Sequence, residues 1–353
     1  MKCLYGTPIR FGVLSAVLIA CWVGPFRCEV DACGMTTHGE IAERTPGIID
    51  SLSYGELVEM LLSLDGERDT GSMFPDWGYG LLMENIADLT HSEMFSDTFA
   101  AYVKQEFPPP YTEAERRQVT FLMGVLSHRL SDDTWHPGFL AAAMAEDGRS
   151  HELIEAGVDV FCNWEQGEGG EHLLWWVPVG TAEAVYERVG HPEVTRNEMI
   201  SGMSIVRAGY WAAKQVGPFL YWYAKSILLP WSNECYVDYV PGGVADCAVV
   251  SADEMMAVWD FLQGPPYAAA RRWYVDSSPV WPAGDLTGAG SGESIFLRKG
   301  RELVASGALN VPVVVWGSEG AADAVVLEQP QVLDAVLAAE ILRSIMVEVG
   351  ATD

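Results

Sequence analysis

The chain has 353 residues, of which 49% are hydrophobic, 11% aromatic and 20% charged. This length and balance describe a globular chain able to bury a sizeable core, and they exclude a disordered or fibrous one. A formal charge of −28 argues against a nucleic-acid surface, because a polyanion is repelled unless bound cations reverse the local field.

The N-terminus reads as a secretory signal, residues 1–32. Lys2 and Arg10 form a basic start, 11–24 is an apolar run too short to span a bilayer, and Val30-Asp31-Ala32 has the small or aliphatic residues of a cleavage site. Cutting there makes Cys33 the new N-terminus of a secreted, periplasmic or extracellular protein. Leu18-Ile19-Ala20-Cys21 has the form of a lipobox, and the alternative is a lipid anchor on Cys21. The Gly/Ser-rich run 284–293 reads as a loop or linker.

Cys33 is followed by Gly34-Met35-Thr36-Thr37-His38, with His38 in the first turn of an expected helix. Met73-Phe74-Pro75-Asp76-Trp77 reads as a short loop, and His91 follows another expected helix. Taken singly, a Pro-Asp pair is an ordinary turn or cap and a lone histidine an ordinary surface or core residue. Residues 121–140 carry more. His128, Asp132 and His136 stand four apart, so a helix lines them on one face while Phe121, Leu122, Val125 and Leu126 make the other face apolar. Imidazole and carboxylate are ligands that zinc takes, and three of them along a helix can serve more than one ion; the bland alternative is a solvated face. Asp133 points about a quarter turn away and is expected in solvent. His151 and Glu155 repeat the four-residue spacing, and Asp159 lies one turn further on.

These segments resemble the zinc-dependent phospholipase C superfamily and, within it, the catalytic domain of glycosylphosphatidylinositol-specific phospholipase D. The likeness rests on Cys33 through His38, on Phe74-Pro75-Asp76, and on Gly124, Ser127, His128, Asp132, Trp135 and His136, which match the pattern G-x-x-S-H-x-x-x-D-x-x-W-H. Five of the seven histidines fall on family ligand positions in the family's order; His172 and His191 do not. The resemblance implies a mainly α fold of the multi-helix phospholipase C and single-strand nuclease type over 33–262, with a small C-terminal extension, 263–353, of unknown role. It implies three zinc ions: the Cys33 backbone, His38 and Asp132 on one; Asp76, His91, His128 and Asp132 on a second; His136, His151 and Glu155 on a third. Asp76 and Asp132 become the candidate catalytic residues, and Asp159 a carboxylate orienting a ligating imidazole, with plain helix surface as its alternative. The implied activity is secreted, zinc-dependent hydrolysis of phospholipid or lipid-anchor phosphodiesters during transient contact with a membrane surface. In such a reaction metal replaces the Arg and Lys that an acidic protein lacks. A zinc-dependent single-strand nuclease and a non-catalytic zinc-stabilised binding protein are the alternatives; Phe74-Pro75-Asp76 and Trp135-His136 favour the lipid branch.

Trp77 and Tyr79, beside Asp76, are candidates for lining a headgroup pocket or meeting lipid, against ordinary core packing. Residues 175–179, 182–190 and 194–214 read as helices. Cys235 and Cys247, with Gly242-Gly243 between them, suit a loop-closing disulfide, against two buried thiols; Cys162 is left free or paired with Cys33. Beyond Leu262, where the resemblance ends, 311–316 and 324–327 read as a candidate strand pair and 331–349 as a final amphipathic helix.

Overall fold

The computed structural model describes residues 34–166, 175–264, 294–316, 324–332, 343, 344 and 347. They form a mainly α-helical protein with a small antiparallel sheet. Cys21, Cys33, His172 and the run 284–293 lie outside the described residues.

Helix Glu113–Trp135 is the element around which the others pack. It starts at a capping box: the Thr112 hydroxyl accepts from the Glu115 N–H, and the Glu115 carboxylate accepts from the Thr112 N–H at 2.6 Å. Phe121, Leu122, Val125 and Leu126 are completely buried, each stabilising by roughly 1.5–3 kcal/mol relative to exposure. His128 and Asp132 are buried on the other side, so neither face of this stretch is a solvent face. At His136 the helix opens into the wide π turn His136–Leu140, where Pro137 has no N–H to continue the ladder, and then resumes as Ala141–Asp147.

Helix Asp65–Met73 lies against it backbone to backbone. A Cβ on Gly124 would stand 2.1 Å from the Arg68 carbonyl oxygen, and one on Gly71 2.2 Å from that of Phe121, so the contact requires both glycines. Residues 73–77, expected as a loop, instead form the 3-10 turn Phe74–Asp76 between Asp65–Met73 and the short helix Trp77–Gly80. Pro75 fits there because a first-turn N–H needs no partner. Helix Met35–Arg44 packs among Asp65–Met73, Glu113–Trp135 and Val244–Gln263, while His151–Phe161 packs on the long helix Arg196–Tyr223.

Trp175–Val177 is a strand, where a helix was expected. A short run of buried aromatic and β-branched residues fits either state by periodicity, and its antiparallel partner, Ala324–Leu327, lies far along the chain. Val313–Trp316 pairs with the other edge of Ala324–Leu327, as the sequence suggests. Described residues beyond Leu262 are therefore built into the same core: two of their strands form the sheet with Trp175–Val177, and helix Ile295–Ala305 packs on Arg196–Tyr223 with Gly300 and Gly209 in backbone contact. The expected final helix opens on strand Gln331–Val332, paired with Leu309–Asn310; most of its remainder lies outside the described residues.

The expected Cys235–Cys247 disulfide is absent: both thiols are free, as is Cys162. Cys247 is buried in helix Val244–Gln263 with Sγ against the Ser131 and Gly242 carbonyls, whereas Cys235 ends helix Pro230–Cys235 half-buried. Among the described residues no helix is long and apolar enough to cross a membrane.

Candidate metal centre

Two neighbouring groups of ligand-type side chains line the buried side of the central helix. His38 comes from Met35–Arg44, Asp76 from the 3-10 turn, His91 from just after helix Glu84–Thr90, and His128 and Asp132 from the central helix. His136 at the start of the π turn meets His151 and Glu155 on His151–Phe161. In each of the sets His38–Asp76–His128, His91–His128–Asp132 and His136–His151–Glu155, ligand atoms lie within 4.8 Å of one another and could hold a metal ion.

Backbone carbonyls decide the chemistry of the first group. The Nδ1–H of His128 donates to the Ser72 carbonyl at 2.6 Å, and that of His91 to the Ala87 carbonyl at 2.7 Å. A carbonyl only accepts, so both protons sit on Nδ1 and both Nε2 atoms turn inward. These two nitrogens are 2.9 Å apart. Asp132 Oδ2 is 3.2 Å from His128 Nε2 and 3.6 Å from His91 Nε2, while Asp132 Oδ1 is 3.4 Å from His38 Nε2. Asp76 Oδ1, 3.4 Å from His91 Nε2, is buried with no hydrogen-bond partner among the described residues. The His38 ring stacks on His128 with centroids 3.6 Å apart. Two facing imidazole nitrogens ringed by carboxylate oxygens require something positive between them. Without metal a proton serves: burial pulls the His91 imidazole down, but Asp76 and Asp132 outweigh it and bring it to about 9. Burial likewise pushes the Asp132 and Asp76 carboxyls up, and the surrounding imidazoles more than reverse this; Asp132 ends well below the usual carboxylate range and Asp76 below it.

The second group differs in charge. Glu155 Oε1 is 2.5 Å from His151 Nε2 and 3.7 Å from His136 Nε2, and burial holds its carboxyl well above the usual range despite His136. Glu155 Oε2 and His136 Nε2 are buried without hydrogen-bond partners among the described residues. Such orphaned acceptor atoms fit a cation, which satisfies them without a donor.

The sequence-predicted residues are thus brought together, with three exceptions. Cys33 lies outside the described residues. Asp159 accepts from no imidazole among the described residues; it accepts four hydrogen bonds from Thr36 and Thr37 at the start of the His38 helix. Trp77 is completely buried and its Nε1–H donates to the Tyr186 hydroxyl at 2.8 Å, so it is core and meets neither headgroup nor lipid. Tyr79 sits with its ring centroid 5.3 Å from that of His91, its hydroxyl donating to Asp88. Asp133 is exposed and pairs with Arg129, as expected, and His191 lies outside both groups with Glu193. Sequence reasoning missed the Ser72 and Ala87 carbonyls and the Thr36-Thr37 pair. Only Ala87, one turn before His91, carried a signal in its spacing.

The fold and the site together define a mainly helical protein with buried His, Asp and Glu groups able to hold metal. No family model and no solved structure matches the chain. It is 26% identical over 272 residues to phosphatidylinositol-glycan-specific phospholipase D of Dictyostelium discoideum, an alignment covering 71% of this chain and 27% of that protein. The proteins of the same name from Homo sapiens and Bos taurus are 27% and 26% identical, over 63% of this chain and 28% of theirs. The chain is a distant relative of the phosphatidylinositol-glycan-specific phospholipases D, and it spans less than a third of the length of these relatives.

Proposed function

We propose that this chain is an exported, zinc-dependent hydrolase of phospholipid or glycosylphosphatidylinositol phosphodiesters, with a trinuclear centre held by His38, Asp76, His91, His128, Asp132, His136, His151 and Glu155. Cys33 joins that set through its backbone once cleavage after Ala32 frees its amine. The observation that carries the reading is the pair of inward-facing Nε2 atoms of His91 and His128, 2.9 Å apart and flanked by Asp76 and Asp132. The names of the distant relatives support the substrate class.

When bound, zinc supplies Lewis acidity toward a phosphoryl oxygen and makes water acidic enough to ionise near neutral pH. The protein's part is positioning and proton handling. Asp132 offers one oxygen to His38's side and the other to His91 and His128, so a single carboxylate spans the first group. Asp76, held ionised, presents Oδ1 as acceptor for the proton of an attacking water. Water adds to phosphorus as Asp76 takes one of its protons, the P–O bond to the leaving oxygen breaks, and that proton passes to the leaving oxygen, so a phosphomonoester and an alcohol result. The −28 charge of the chain disfavours anions over its surface, and bound zinc would offset that charge at the centre.

Metal analysis of exported protein should find more than one equivalent of zinc. A panel of phosphatidylcholine and phosphatidylinositol vesicles, a glycosylphosphatidylinositol-anchored reporter and single-stranded DNA, each with and without chelator, then tests the substrate. Chelator-sensitive release from a lipid substrate is expected. At most one equivalent of zinc sinks the trinuclear centre, and turnover of DNA alone sinks the lipid assignment.

A further inference from the structure

Helix Met35–Arg44 begins without a cap of its own. Its N-cap is Gly34, which has no side chain to accept from the first free N–H groups. Asp159, completely buried on helix His151–Phe161, takes that place from across the core. Its Oδ1 accepts from the backbone N–H groups of Thr36 and Thr37, each at 3.0 Å, and from their hydroxyls at 2.8 and 3.0 Å. The Thr36 hydroxyl shares its proton with the Asp159 carbonyl at 2.9 Å. Gly34 is what lets the carboxylate in, because a Cβ there would stand 2.2 Å from Oδ1. The next N–H along, that of His38, bonds to the Gly34 carbonyl at 3.0 Å, so the clamp and His38 belong to the same first turn.

We propose that Asp159 is a positioning residue that sets His38 against His128 and Asp132, so that helix His151–Phe161 builds one ligand group directly and sets the other through the first turn of Met35–Arg44. Asp159 touches no ligand; it acts through the helix that carries one. His151 and Glu155 occupy the turns before it on the same helix, so a displacement of that helix moves both groups together. The bland reading, a buried carboxylate serving only the fold, predicts lost stability spread over the whole protein. The clamp predicts loss at one ligand group.

The inference rests on the metal-centre reading, and wild-type protein separates the two: zinc bound at one equivalent or less is a failure of that reading, before any variant is made. Given zinc, the test compares exported wild type, His38→Ala, Asp159→Ala and the double variant by zinc equivalents and by chelator competition. Asp159→Ala should lose the same fraction of zinc as His38→Ala, with about ten- to a hundredfold weaker retention, and the double variant should lose no more than either single one. Asp159→Asn, which keeps an acceptor oxygen toward the threonines, should restore most of the loss. Should Asp159→Ala fail to fold, Thr36→Val with Thr37→Val removes the two hydroxyl donors and leaves the N–H groups in place; weakened retention of the His38-dependent fraction alone is then the expected result. Wild-type zinc content and retention in Asp159→Ala, or in the folded double valine variant, overturns the proposal. So does equal weakening of every equivalent.

Discussion

Four chain segments converge on His38, Asp76, His91, His128 and Asp132, whereas His136, His151 and Glu155 come from one helix and the π turn that faces it. In the first group the imidazoles are fixed by backbone carbonyls and the carboxyls are held ionised. In the second, two ligands share a helix face at i and i+4, and burial keeps the carboxyl of Glu155 above its usual range. The contrast teaches where each group is vulnerable. A site gathered from distant segments depends on how closely the helices pack, and a site on one helix depends mainly on that helix.

The largest effect is expected at the carboxylate that spans the first group. Asp132→Asn keeps the shape of the side chain but removes its negative charge, so turnover should fall on the order of 10²–10³-fold while the helix, anchored by Phe121, Leu122, Val125 and Leu126, stays folded. Steady-state kinetics beside circular dichroism checks this, and near-normal turnover would show that Asp132 does not span the group.

Gly124→Ala attacks the packing on which the first group depends. Its methyl would collide with the Arg68 carbonyl, pushing Asp65–Met73 outward and pulling the Ser72 carbonyl off His128. Stability should fall by about 1–3 kcal/mol, and zinc should leave the first group while the His136, His151 and Glu155 group keeps its share. Urea unfolding with metal analysis reads both; uniform zinc loss would erase the distinction between the groups.

The smallest effect tests the reassignment of Trp77. Trp77→Phe removes the indole N–H donated to Tyr186 and should cost about 1 kcal/mol, with unchanged affinity for lipid vesicles. Weaker vesicle binding at unchanged stability would return Trp77 to the lipid interface.

Much of the centre was legible in the chain. Spacing of four residues put His128, Asp132 and His136 on one line and His151 beside Glu155, because a helix turns 3.6 residues per turn whatever surrounds it. Composition pointed to a globular chain, and the helical spacing of Phe121, Leu122, Val125 and Leu126 pointed to a core helix. Relations between distant segments could not be read in this way. Trp175–Val177 becomes a strand only because Ala324–Leu327 pairs with it, and the described residues past Leu262 join the core through that pairing and through helix Ile295–Ala305 on Arg196–Tyr223. Cys235 and Cys247 sit close in sequence yet stay unpaired, since one is turned into the core and the other ends a separate helix. Asp159 has the right spacing for an imidazole neighbour, but packing turns it toward Thr36 and Thr37. Local periodicity named the ligand-bearing faces, because side-chain direction within a helix is set by its own backbone. Which faces meet, which carbonyl receives which imidazole, and which carboxylate is charged were decided by tertiary packing, because those depend on close contact between segments far apart in the chain.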